Sequence, residues 1–156
     1  MNTKKLYNYI MIGIIAVTVV FIFLNSFTDS MTSRKQTEAV TDVVAPIIQP
    51  VVHDTNRIFV VIRKLAHVFE FGVLGIELSF LFKKLSIYPV FMVMVVGLTD
   101  ETIQLSNNRF SRVQDVWLDC LGGIIGIVVG LFMYRLIVKL INRHKKSKQI
   151  KTQNIC

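Results

Sequence analysis

GLTDETIQLSNNRFSRVQDVWLD, residues 97–119, is the stretch where two apolar runs of the chain meet across a short polar turn. It places four carboxylates beside or inside hydrophobic sequence: Asp100, Glu101, Asp115 and Asp119. In a soluble domain such a stretch would form a solvated loop. Because the neighbouring runs are long and apolar, we instead expect these acids to belong to the ends of membrane helices.

The composition of the 156-residue chain fits a protein solvated by lipid better than a soluble globule. Hydrophobic residues make up 53% of it and charged residues only 18%, with a mean hydropathy of +0.55. We therefore predict a single membrane domain over residues 1–156. The net charge of +8 does not indicate a nucleic-acid partner, because the basic residues flank apolar runs. Two cysteines, Cys120 and Cys156, cannot form a disulfide framework.

Four apolar runs predict four membrane-spanning helices, at about residues 6–24, 65–82, 85–105 and 113–138. The first run follows Lys4 and Lys5, which is also how a cleaved signal peptide begins. The residues after it, Asn25 to Thr28, contain no small-x-small cleavage site, so we favour an uncleaved first helix. Pro89 falls in the first turns of the third run, where a missing backbone N–H is least disruptive.

A long polar connection separates the first two runs, and its second half is amphipathic. Between about residues 36 and 54, apolar residues recur at the spacing of one helical face, interrupted by Pro46 and Pro50. The segment is too short to cross the bilayer, which takes roughly 20 apolar residues. We predict that it lies in the extracytoplasmic membrane interface or enters it as a re-entrant segment; simple packing onto the helix bundle is the alternative.

The distribution of Lys and Arg predicts the orientation of the bundle. Basic residues without accompanying acids precede the first run, separate the second run from the third, and fill the tail at 139–156. Because cytoplasmic loops are enriched in Lys and Arg, both termini and this tail are predicted to be cytoplasmic. The predicted fold class is an all-α integral membrane four-helix bundle with the N-in/C-in topology.

This topology brings polar residues from three runs to one level near the outer interface. Within each run they share a helical face, at spacings of three or four residues: His67 and Glu70, Asp100 and Gln104, Asp115 and Asp119. Glu101 lies beside them, and the turn residues Arg109 and Arg112 are suited to bind a carboxylate or phosphate. The cluster is either a charge-balanced polar plug or a cavity that binds a ligand. Contributions from three helices favour the cavity.

The fourth run carries a small-xxx-small repeat formed by Gly122, Gly126 and Gly130. Such a stripe allows two helix backbones to approach closely. We expect it to pack against another helix and to turn Asp115 and Asp119 toward the bundle. It also leaves open an oligomer formed along this helix.

The sequence contains no nucleophile elbow, glycine-rich phosphate loop or HExxH motif. No metal and no cofactor are predicted, because no specific template matches the nearest set of candidate ligands, which is His67, Glu70, Asp100 and Glu101. Glu77 lies on the same face of the second run as its other polar residues, but roughly 15 Å deeper at 1.5 Å per residue. It could reach Lys84 or line the floor of the cavity.

In order along the chain, the motifs are Arg63-Lys64-Leu65-Ala66-His67-x-x-Glu70, Asp100-Glu101-x-x-Gln104 and Arg109-x-x-Arg112-x-x-Asp115-x-x-x-Asp119-x-x-Gly122-x-x-x-Gly126. The ordered combination resembles the VanZ-like family of small bacterial membrane proteins, over the second to the fourth run. Two positions depart from the family pattern: Phe71 stands where the family often has Tyr, and Asp119 where it usually has Asn. A role that needs a phenol or a neutral amide there is not carried over.

The resemblance implies a polytopic plasma-membrane protein of Gram-positive type. The founding member is associated with low-level resistance to teicoplanin-type glycopeptide antibiotics, by a route that does not rebuild the peptidoglycan stem. No established catalytic activity comes with the family. Our first hypothesis is therefore a non-enzymatic envelope protein whose outer-leaflet polar cavity binds a membrane lipid, a lipid-linked envelope precursor or the lipoglycopeptide itself.

The alternative is a membrane enzyme that modifies a lipid or glycan at the outer leaflet by carboxylate acid/base chemistry. In that hypothesis a carboxyl such as Glu101 is the base and Arg109 holds an anionic group. A third hypothesis is a transport or assembly module that oligomerises along the fourth helix.

Overall fold

The structure is a computed structural model that describes residues 3–27, 55–106 and 113–153. Within these ranges it has four helices and no strand: α1 (Thr3–Phe27), α2 (Thr55–Phe82), α3 (Ile87–Ser106) and α4 (Val113–Gln153). The all-α prediction is confirmed. The predicted amphipathic segment at 36–54 lies outside the described residues, as do Arg109 and Arg112 of the turn.

Three helical segments of the described chain are long and apolar enough to cross a membrane: Thr3–Phe27, Val60–Phe82 and Gln114–Lys146. The predicted third span, at 85–105, forms a helix of 20 residues but is not one of these three segments. The reason is that the last third of α3 carries Asp100, Glu101 and Gln104, which lower its hydropathy. Those three side chains are buried within the protein. A fourth crossing by α3 therefore stays a prediction.

Three helices are longer than their predicted spans: α1 by three residues at each end, and α2 and α4 by more. α2 begins at Thr55 instead of near residue 65, because Arg63 and Lys64 are good helix formers and find acceptors on other helices. It ends at Phe82, and the next residue, Lys83, closes the last turn with a φ of 59° and an N–H that donates to the Ser79 carbonyl at 2.8 Å. α4, with 41 residues, continues through most of the basic tail.

The glycine stripe of α4 packs against α2 of the same chain. A Cβ on Gly122 would lie 2.5 Å from the carbonyl oxygen of Val68, and one on Gly126 would lie 2.8 Å from the carbonyl carbon of Gly72. Because only hydrogen fits between these backbones, α2 and α4 form the closest helix pair of the bundle. An oligomer along α4 would need a different face of that helix.

The apolar core lies below the polar end of the bundle. All four helices contribute to it, through Ile15, Ile22, Phe71, Leu74, Leu78, Val93, Ile127 and Leu131. Other large apolar side chains, such as Phe69, Trp117 and Phe132, are exposed on the outside. Outward apolar faces are expected where lipid is the solvent, since lipid exerts no pressure to bury them. The buried polar side chains therefore lie inside one end of the bundle, whereas apolar side chains both form the core and cover the outer surface.

Candidate functional site

A group of buried polar side chains, which we call the polar centre, lies at one end of the bundle and draws on all four helices. It consists of Ser26 on α1, His67 on α2, Asp100 and Gln104 on α3, and Asp119 on α4. Four of the five residues are no more than 2% exposed, and the His67 side chain is 20% exposed. The centre therefore meets its surroundings through His67.

Asp100 is the hydrogen-bonded member of the centre. The Ser26 hydroxyl donates to its Oδ1, and Gln104 Nε2, one helical turn away, donates to its Oδ2 at 2.8 Å. The Gln104 side chain is held in turn by Arg63, whose Nη2 donates to Gln104 Oε1 at 3.0 Å. A buried carboxylate needs such donors because removing it from water is costly. The Asp100 side chain is thus held directly by residues of α1 and α3, and by α2 through Gln104.

Asp119 has a different environment, although it is as deeply buried as Asp100. No residue in the described part of the chain donates a hydrogen bond to either of its carboxylate oxygens. Its Oδ1 lies 3.8 Å from His67 Nδ1, and the same nitrogen lies 3.7 Å from Asp100 Oδ2. Both distances exceed those of hydrogen bonds, so the interaction is electrostatic. One imidazole thus lies between two buried carboxylates.

The rim of the centre is less buried and carries an ion pair and a hydrogen bond to a carboxylate. Lys64 Nζ lies 2.7 Å from Asp115 Oδ1, and these side chains are 38% and 23% exposed. On the α1 side, Asn25 Nδ2 donates to Glu70 Oε1 at 2.9 Å. Lys64 is therefore a partly exposed basic residue at the rim of a centre whose buried side chains include two carboxylates.

The structure places the candidate residues from the sequence at different distances from this centre. His67, Asp100, Gln104 and Asp119 meet in it, whereas Glu70 and Asp115 lie on its rim. Glu101 is buried on α3, at 7% exposure. Gly122, Gly126 and Gly130 lie at the α2–α4 contact.

Glu77 does not reach Lys84 in the way that the sequence left open. Thr18 Oγ1 on α1 donates to Glu77 Oε1 at 2.8 Å, deeper in the bundle. Glu77 therefore belongs to the contact between α1 and α2, several turns from the polar centre.

The contribution of α1 was missed by the sequence interpretation. Thr18, Asn25 and Ser26 bind carboxylates of α2 and α3, yet they lie in or next to a run that was treated only as a span. A signal was present, since spacings of seven and eight residues place these three polar side chains on one helical face. Polar residues aligned in an apolar run indicate a face turned toward the bundle.

Fold and site together define a class: a helical membrane protein that holds an acidic polar centre at one end of its bundle. Within that class, a family model described as VanZ/LLP1 matches residues 10–137, and the chain belongs to this family. The match confirms the resemblance to VanZ-like proteins, and it includes every residue of the polar centre. No curated protein and no solved structure matches the chain.

Proposed function

We propose that this VanZ-like membrane protein lowers sensitivity to teicoplanin-type lipoglycopeptides by binding the polar head of a membrane-anchored molecule at the polar centre. The bound molecule is a lipid-linked envelope precursor or the lipid-anchored drug. The observation that carries the proposal is the burial of Asp100, Gln104 and Asp119 beneath the partly exposed His67. Ionisable groups inside a membrane are expensive, and they are mostly retained where they act on a ligand or ion.

The charges of the site suit an amphiphile with a mixed head group. Amines and hydroxyls of a sugar or peptide can donate to the acidic interior. The rim ammonium of Lys64 can attract phosphate or carboxylate, since its pair with Asp115 is partly solvated and therefore weak. A precursor that combines sugar, peptide and phosphate carries all of these groups, and so does a glycopeptide with sugars and a carboxylate.

The arrangement of the bundle supports an extracytoplasmic location for the centre. It lies at the C-terminal end of α1 and the N-terminal end of α4, opposite Lys4 and the basic end of α4. Because Lys and Arg concentrate on the cytoplasmic side, this end of the bundle faces outward in our proposal, with both termini inside the cell. Lipid-linked precursors exposed on the outer leaflet of the plasma membrane can then reach it laterally.

Drug sensitivity of a deletion strain tests the resistance proposal. We expect the inhibitory concentration of teicoplanin to fall, and that of vancomycin, which lacks a lipid chain, to change less. The wild-type protein and the lipid-facing control Phe132→Leu should restore resistance, whereas Asp100→Asn at equal protein level should not. The proposal is wrong if the deletion leaves the inhibitory concentration of every lipoglycopeptide tested unchanged.

Mass spectrometry of gently purified protein distinguishes the two ligands. A co-purified lipid-linked precursor that is lost in Asp100→Asn would support precursor binding. Retention of added teicoplanin, with no precursor present, would instead support capture of the drug. If Asp100→Asn retains both molecules as the wild-type protein does, binding at the polar centre is contradicted.

One observation favours an enzyme as the second candidate: His67 lies between the carboxylates of Asp100 and Asp119. An imidazole beside a carboxylate can accept and return a proton. Asp115 is less suited to this task because it pairs with Lys64. If Asp119→Asn and Glu101→Gln cells still produce every wild-type envelope lipid and glycan, this candidate loses its support.

A further inference from the structure

We propose that His67, Asp100 and Asp119 bind one divalent transition-metal ion between α2, α3 and α4. This departs from the expectation drawn from the sequence, which considered another set of ligands. The three residues belong to different helices and are separated by 33 and 19 positions along the chain. Their combination follows only from the tertiary structure.

The geometry is close to that of a metal site. One ligand atom from each residue can be chosen so that all three lie within 4.8 Å of one another. The two shortest distances from His67 Nδ1 to the carboxylate oxygens are 3.7 and 3.8 Å. Two ligands of a tetrahedral ion with bonds of about 2.1 Å lie about 3.4 Å apart. The two separations from His67 need to shorten by only a few tenths of an ångström. The two carboxylate oxygens, which lie at most 4.8 Å apart, have to approach by up to about 1.4 Å, which side-chain torsions can supply.

The environment of Asp119 is a second, independent observation that supports a metal ion. It is 1% exposed, and neither of its oxygens accepts a hydrogen bond from any residue that the structure describes. Burying a carboxylate is costly unless a partner compensates its charge. Asp100 has donors for both oxygens. A divalent cation would bind Asp119 directly and balance the charge of both acids.

The surroundings of Asp100 resemble those of a metal ligand. Ser26 and Gln104 hold its carboxylate, and Arg63 holds Gln104. Residues that orient ligands in this way are a regular part of metal sites. The partial exposure of His67 leaves a path for the ion from the rim.

The chemistry of the ligands selects the kind of ion. An imidazole nitrogen favours transition metals over Ca²⁺, which takes six to eight oxygen ligands. One nitrogen and two carboxylates suit Zn²⁺ or Mn²⁺. Three protein ligands also leave a position open for an outside oxygen atom. The metal site does not depend on which head group the protein binds.

Titration of the purified full-length chain with Zn²⁺ tests the proposal. The protein is prepared in detergent with a tag that lacks histidine, stripped with a chelator, and titrated by calorimetry. We expect one high-affinity site per chain, and roughly tenfold to a hundredfold or more weaker binding by Asp119→Asn and His67→Gln. Glu77→Gln is the matched control and should keep wild-type affinity, because that acid accepts a hydrogen bond from Thr18 several turns from the polar centre.

A parallel titration with Mn²⁺, followed by electron paramagnetic resonance, covers the harder metal. Saturable binding of either ion that is weakened by Asp119→Asn supports the site. The proposal is overturned if the wild-type chain binds neither ion saturably, or if Asp119→Asn binds both as tightly as wild type. If Asp119→Asn does not fold, the Asp119→Cys variant tests the role of residue 119 instead. A thiolate should retain Zn²⁺ and lose Mn²⁺, and an unchanged preference would refute the role of residue 119.

Discussion

Replacement of Gly126 by alanine tests the central packing of this protein. The added Cβ would meet the carbonyl oxygen of Gly72 and lie 2.8 and 2.9 Å from the Gly72 carbonyl carbon and Cα. Carbon atoms in contact prefer a separation of about 3.5–4.0 Å, so the helices must move apart by about 1 Å. The opposing atoms belong to the backbone of α2 and cannot rotate away. The clash must therefore be relieved by displacing the whole helix pair.

The expected loss of stability follows from two opposing effects. Overpacking costs about 1–3 kcal/mol, and a backbone contact places Gly126→Ala near the upper value. Alanine has the higher helix propensity, which returns at most about 1 kcal/mol. We expect the free energy of unfolding to fall by about 2 kcal/mol, the difference between these two effects.

Gly13→Ala is the matched control for this change. A Cβ at Gly13 on α1 meets no atom within 4 Å, so this variant keeps the gain in propensity without the clash. Both variants can be compared by reversible unfolding in mixed micelles of dodecyl maltoside and sodium dodecyl sulfate, followed by far-ultraviolet circular dichroism. If Gly126→Ala proves as stable as Gly13→Ala, the close α2–α4 contact does not exist.

Three further predictions concern the polar end and the orientation. Ser26→Ala removes a hydroxyl donor from the buried Asp100 carboxylate and should lower the free energy of unfolding by about 1.5–3 kcal/mol in the same assay; an unchanged value would mean that α1 does not support this carboxylate. A double-mutant cycle with Lys64→Ala and Asp115→Ala should give a coupling below about 1 kcal/mol, since the pair is partly exposed; a markedly larger coupling would show that it is shielded from water. In a chain without native cysteines, Lys145→Cys should react with a membrane-impermeant maleimide only after the cells are permeabilised; labelling of intact cells would invert the proposed topology.

The choice between a closed charge network and a ligand site depends on Asp100 and Asp119. Asp100 is the kind of carboxylate expected of a structural plug, because its oxygens are held by Ser26 and Gln104. Asp119, equally buried, lacks such donors among the described residues. A plug alone would leave this second acid with no compensation from the described residues beyond the imidazole of His67, 3.8 Å away. The difference between the two acids therefore supports a ligand or ion as part of the site.

The sequence by itself determined the helical class, the approximate helices and the family. These features are local or ordered along the chain: apolar runs of sufficient length predict helices, and the motifs from Arg63 to Gly126 resemble VanZ-like proteins. The sequence also selected His67, Asp100, Gln104 and Asp119 as candidates, since polar residues in apolar runs are conspicuous.

Only the tertiary structure decided which partner each polar side chain has. Thr18, Asn25 and Ser26 of α1 donate to acids on other helices, and the glycine stripe of α4 packs against α2. The tertiary structure also showed that Asp100 and Asp119 have different hydrogen-bonding environments, although the sequence pattern treats the two acids alike. The physical reason is that a helix forms from interactions within a few residues. Its rotation and register against neighbours depend instead on side chains that meet from distant parts of the chain.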